Sequence, residues 1–74
     1  MAEINYEIIE ELGVLSSTAS GWQKELNFIS WNEGDPKYDI RQWGPDHQRM
    51  GKGISLSREE AKALLTLLEG LLAD

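Results

Sequence analysis

"GKGISLSREEAKALLTLLEGLL" occupies residues 51–72, and the hydrophobic period changes inside it. Its first seven residues are short, glycine-punctuated and β-like, and read as one brief strand. Ser57 and Glu60 then form an S-x-x-E capping box, in which each side chain accepts a hydrogen bond from the other residue's backbone N–H at a helix start. From there Ala61, Leu64, Leu65, Leu68 and Leu72 recur at i, i+3, i+4, i+7 and i+11, the apolar stripe of an amphipathic helix. Leu67 and Leu71 fall off that stripe and widen the apolar arc beyond what one side of a small sheet covers. The surplus calls for a second partner, most simply the same helix in another copy of the chain. The expected dimer contact is Leu64, Leu67, Leu68, Leu71 and Leu72. Gly70 is compatible with either a helix end or a loosened turn.

Upstream of this switch the period is two. "KYDIRQW" (37–43) alternates, with Lys37, Asp39, Arg41 and Trp43 on one side and Tyr38, Ile40 and Gln42 on the other. "GPDHQRM" (44–50) is a loop. "NEGDP" (32–36) is a turn by composition, in which Gly34 can take positive φ and Pro36 cannot donate to a ladder. "WQKELNFISW" (22–31) is rich in aromatic and β-branched residues and reads as a strand. "SSTASG" (16–21) is a polar connection, and "INYEIIEELGVL" (4–15) a first, half-buried strand. The expected fold is therefore α+β: a four-stranded antiparallel sheet followed by a C-terminal helix (β-β-β-β-α). The helix covers one face and leaves the other open, in a single domain spanning residues 1–74.

A chain of 74 residues without cysteine has neither disulfides nor a thiolate metal site, so its stability rests on packing or association. The first residues have no signal-peptide character and no segment has the length of an apolar span, so the expectation is a cytoplasmic protein with no membrane partner. His47 is the only histidine, and the carboxylates have no identifiable polar partner, so solvated faces account for them. Ser16, Ser17 and Ser20 have no evident base nearby. The reading is a binder and not an enzyme, with no cofactor, no metal and no small-molecule substrate.

The formal net charge is −6, yet the cations are unevenly placed. Residues 1–34 carry one lysine against six glutamates, whereas residues 35–56 carry Lys37, Arg41, Arg49 and Lys52 against three aspartates. If Tyr38 and Ile40 face the helix, Lys37, Arg41 and Trp43 face away from it. Cations interleaved with aromatic rings on a sheet make a platform for single-stranded nucleic acid, because the cations follow phosphates and the rings stack on bases. With Ile29 and Trp31 in the core, Phe28 would stand beside this ladder, and Lys24 would extend it. Packing competes with this reading: Trp22 and Trp31 read as core, Trp43 is open between packing and binding, and the alternating Lys and Asp fit cross-strand charge pairs as well. Gly51 and Gly53 around Lys52 lack the spacing of a phosphate loop and fit a turn that lets Lys52 reach the sheet.

"YDIRQW", a loop, and "GKGISLS" entering a helix together resemble the single-stranded-DNA-binding domain of the transcriptional coactivator positive cofactor four. The wider text, with "GW.KELN..SWN" before it and "PDH.RMGKGI.L" after, resembles the small bacterial YdbC-like branch of that family. The resemblance implies a homodimer joined through the C-terminal helices that binds single-stranded DNA with little sequence preference, with RNA left open as a ligand. It also implies a role in transcription, replication or repair. By position it assigns DNA contacts to Arg41, Lys52 and Trp43. Gly44 stands where the family has a second aromatic residue, and Lys37 stands in for lysines of a longer hairpin. A different class remains beside this one: an acidic dimeric module that docks another polypeptide through its sheet face or edge strand.

Overall fold

The computed structural model describes residues 5–73. Strands β1 (Tyr6–Ser17), β2 (Gln23–Trp31), β3 (Lys37–Trp43) and β4 (Met50–Leu56) form one antiparallel sheet in chain order, followed by helix α1 (Arg58–Leu72). The expected β-β-β-β-α order is the observed one. Several boundaries move by a residue or two: Ser16 and Ser17 pair with Lys24 and Gln23, so β1 runs into the stretch read as a connection, β2 starts at Gln23 and leaves out Trp22, and β4 starts at Met50 and ends at Leu56. The expected start at Ile4 lies outside the described residues.

Local chemistry accounts for the ends of the elements. The Glu60 N–H donates to Ser57 Oγ (3.1 Å) and the Ser57 N–H donates to Glu60 Oε1 (2.8 Å), so the capping box forms as read. The helix continues through Gly70. Between β2 and β3 the Gly34 N–H donates to the Trp31 carbonyl (2.8 Å), closing a tight hairpin. The left-handed residues there are Asn32 (φ 51°) and Glu33 (φ 63°), the pattern of a type I′ turn, and not Gly34 as composition suggested.

Register assigns the two faces. Phe28 with Tyr38, Leu26 with Ile40, and Ile40 with Ile54 are cross-strand neighbours on the helix side. Tyr6 with Trp31, Ile8 with Ile29, Asn27 with Asp39, and Glu25 with Arg41 are neighbours on the far side. The far face carries the tightest burial: Ile29, Trp43, Asp39 and Asn27 are at most 1% exposed. On the helix side no residue of α1 is buried, and an apolar gap of about 380 Å³ stays open between Leu26, Tyr38, Ile40 and Leu56 of the sheet and Leu64, Leu65 and Leu68 of the helix. The sheet is thus closed on the side expected to be open, and under-filled on the side expected to be covered.

Curvature is the cause. Trp43 pairs with Gln23, eight residues along β2 from Trp31, a span of about 26 Å on a flat sheet. The Tyr6 ring nevertheless lies 5.5 Å from that of Trp31 and 5.8 Å from that of Trp43, so the sheet curls until side chains from its two ends meet. β1 allows this through bulges at Ile9, Leu12 and Leu15, where its pairing with β2 slips, because each extra residue bends the strand and increases its twist. Among the described residues no helix is long and apolar enough to cross a membrane.

Candidate nucleic-acid interface

Arg41 sits in the middle of β3, opposite Glu25 on one side and Gly53 on the other. Its guanidinium makes a two-pronged bond to Asp39, Nε to Oδ1 at 2.7 Å and Nη2 to Oδ2 at 2.9 Å, while Ser55 Oγ donates to Oδ2 at 2.9 Å. The fork lies over the Trp31 ring, 4.6 Å from its centroid. Asp39 is fully enclosed and Arg41 retains 16% exposure, so most of the arginine's donors serve the protein itself. Gly53 is required for this packing: a Cβ there would overlap the Arg41 Cβ and stand 2.9 Å from its Cα.

Trp43 is enclosed completely. Its ring stacks on that of His47 at 4.3 Å with planes 1° apart, and its indole N–H, like that of Trp31, is buried without an acceptor among the described residues. In this conformation its faces are occupied by the protein, so Trp43 packs and does not present a stacking ring; of the two alternatives left open, packing is the observed one.

Phe28 is likewise not beside the basic ladder. Ile29 and Trp31 share the Arg41 face, so the intervening parity turns Phe28 to the helix side, where its ring meets Tyr38 at 5.0 Å. Lys24 pairs with Ser16 and Gln42 on that same side and does not extend the Arg41 ladder. The remaining cations are exposed. Lys37, Arg49 and Lys52 lie at the surface, with no carboxylate within ion-pair distance among the described residues. Lys52 falls where β4 slips register against β3, and Arg49 precedes it at the end of the β3–β4 loop. Lys37 starts β3 at the opposite end of the sheet, about 20 Å away for six residues of strand. The structure therefore groups Arg49 with Lys52 and sets Lys37 apart.

Sequence reading missed one polar set. His47 Nε2 is 2.9 Å from Glu25 Oε1, and Asn27 Nδ2 donates to the same oxygen at 3.1 Å. This set borders a cleft of about 350 Å³ between β2 and the Glu11–Val14 stretch of β1. His47 takes φ 61°, which turns its ring into the sheet and pins the β3–β4 loop to β2. The partners are 22 residues apart, and no local spacing announces the pair.

The sequence profile of the family described as Transcriptional Coactivator p15 (PC4) matches residues 18–67, from the first turn to the middle of α1. The chain belongs to the PC4 family. This is a family of single-stranded-DNA-binding, coactivator-type domains. An uncharacterized protein of Treponema pallidum (strain Nichols) is 46% identical over 72 residues, covering 97% of this chain and 85% of that protein. The PC4 match includes the Asp39–Arg41 fork and Gly53. Within this chain those residues build the sheet, while Lys37, Arg49 and Lys52, like Lys24, Arg58 and Lys62 of the matched region, remain at the surface with no ion pair among the described residues.

Proposed function

We propose that this protein binds single-stranded DNA as a homodimer, with little sequence preference, in transcription, replication or repair. The observation that carries the proposal is that a PC4-family chain with net charge −6 keeps Lys37, Arg49 and Lys52 exposed and without carboxylate partners among the described residues. Such cations are available to phosphates, whereas Arg41 is engaged with Asp39. The dimer reading is supported by α1, on which Leu65, Leu67, Leu68, Leu71 and Leu72 are 41–77% exposed beside an open apolar gap. A second copy would bury both. On this reading the protein is a cytoplasmic, non-catalytic binder of single-stranded DNA, with RNA left open as a ligand.

Anisotropy of a labelled poly-thymidine strand, compared with a duplex of equal length, tests the proposal. The strand is expected to bind more tightly, with a slope of log affinity against log salt of about −2 for three phosphates on one protomer and about −4 for six on a dimer. Absence of binding at low salt would overturn it. The edge strand favours a second reading: Ile9, Leu12, Val14 and Leu15 of β1 are 41–58% exposed, which suits docking of another polypeptide. That reading gains if the strand fails to bind and a protein partner engages β1.

A further inference from the structure

The three tryptophans have different surroundings. Trp43 is enclosed between Tyr6 and His47, and Trp31 lies between Tyr6 and the Arg41 guanidinium. Trp22 is half-buried and has no aromatic or cationic partner among the described residues. It borders a cleft of about 360 Å³ together with Gly44, Pro45, Asp46 and Arg49.

This cleft is held from both sides. Trp22 ends the β1–β2 connection, where its N–H donates to Thr18 Oγ1 (3.1 Å) and its carbonyl accepts from the Thr18 N–H (2.8 Å). Gly21, at φ 90°, packs so closely on Pro45 that a Cβ would stand 2.9 Å from the proline Cγ. Across the cleft the β3–β4 loop is closed by the Gly44 N–H donating to the Arg49 carbonyl (2.8 Å) and anchored by His47 on Glu25. Gly44 separates the two functional groups: a Cβ there would lie 3.6 Å from Trp22 Cζ2 and 3.5 Å from Arg49 Cβ. A half-buried indole and a guanidinium with no ion pair among the described residues thus flank one residue that has no side chain.

We infer that Trp22 and Arg49 form a one-nucleotide subsite of the single strand, the base stacking on the Trp22 indole and its phosphate pairing with the Arg49 guanidinium. The inference rests on the single-strand-binding reading and names where a base is held, since Trp43 and Phe28 are engaged elsewhere. A base has π-faces whatever its identity, so stacking there is tolerant of sequence. Asp46 is the counter-charge of the site. Its Oδ1 accepts from the Gln48 N–H (3.0 Å), which keeps the carboxylate on the loop, where it opposes the incoming phosphate.

The test uses a labelled poly-thymidine oligonucleotide, with anisotropy for affinity and intrinsic fluorescence for stacking. Trp22→Phe should retain most of the affinity and lose the quench seen in the unsubstituted protein, because Trp43 is enclosed and the half-buried Trp31 is flanked by Tyr6 and the Arg41 guanidinium. Trp22→Leu should weaken binding at least about fivefold, the lower end of base–aromatic stacking. Arg49→Gln should weaken binding and make the salt slope shallower by about 0.7, one phosphate on a single strand. Asp46→Asn, which keeps the loop acceptor, should tighten it. Circular dichroism matching the parent shows that each variant is folded. A parent that binds, with quenching retained in Trp22→Phe and unchanged affinity in Trp22→Leu and Arg49→Gln, overturns the subsite and leaves the function standing. A parent that does not bind at low salt overturns both.

Discussion

Arg41→Ala is the substitution in which a binding role and a folding role separate most clearly. The Asp39 carboxylate is fully buried, and two of its three side-chain hydrogen bonds come from Arg41, at 2.7 and 2.9 Å. Removing the arginine leaves a buried carboxylate with Ser55 alone, a change that costs about 3–5 kcal/mol when one partner of a buried pair is deleted. The lower end applies, because Ser55 stays and Arg41 itself reaches solvent. About 3 kcal/mol in a domain of this size corresponds to a fall of roughly 12–24 °C in melting temperature. Asp39→Asn should cost less than Arg41→Ala, because the orphaned guanidinium can turn to water and an enclosed carboxylate cannot. The assay is urea unfolding followed by circular dichroism, at one protomer concentration for all variants. A double-mutant cycle with Asp39→Asn should return a coupling of 1 kcal/mol or more in order of magnitude. An Arg41→Ala protein that unfolds within about 0.5 kcal/mol of the parent, the range of ordinary surface substitutions, would refute the reasoning.

Gly53→Ala places a methyl group into the Arg41 backbone, so β4 must move from β3; a loss of about 1–3 kcal/mol is expected in the same unfolding assay. Ser57→Ala removes the acceptor for the Glu60 N–H and should cost about 1 kcal/mol of stability, read as a lower urea midpoint with unchanged slope. Leu68→Glu puts a charge beside the apolar gap under α1 and should convert the proposed dimer to monomer or unfolded chain in sedimentation equilibrium; a stable dimer in the variant would remove α1 from the proposed interface.

The elements themselves were legible because each rests on local chemistry. A capping box, a change of period at Ser57 and turn residues between alternating runs are adjacent in sequence; the capping box and the period change appear where they were read, and the turns within two residues of it. Parity also sorted β3 correctly into Tyr38 and Ile40 against Asp39, Arg41 and Trp43. Parity says which residues share a face and not whether that face is shut. The curl that encloses Trp43 comes from bulges at Ile9, Leu12 and Leu15, and a bulge breaks the alternation by which a strand is recognised. Phe28 was misplaced for a related reason, since Ile29 and Trp31 were taken as core on the helix side when the core lies on the other. The Glu25–His47 bond and the Asp39–Arg41 fork depend on the pairing of β2 with the β3–β4 loop and on a rotamer, and neither follows from spacing. Arg41 was read as a ligand contact from its place beside Trp43, and its ion pair with Asp39 is a second role that spacing does not reveal.

The central claim is that a single strand is held by the exposed cations and the Trp22 cleft, not by rings on the sheet face. An amide and indole correlation spectrum of the isotope-labelled protein, titrated with a poly-thymidine oligonucleotide at low salt, tests it most directly. The account predicts that the Trp22 indole signal and the Lys37, Arg49 and Lys52 amides move, while the Trp43 indole and the Phe28 amide stay in place. An unchanged spectrum, or shifts confined to Trp43, Phe28 and Lys24, would contradict it.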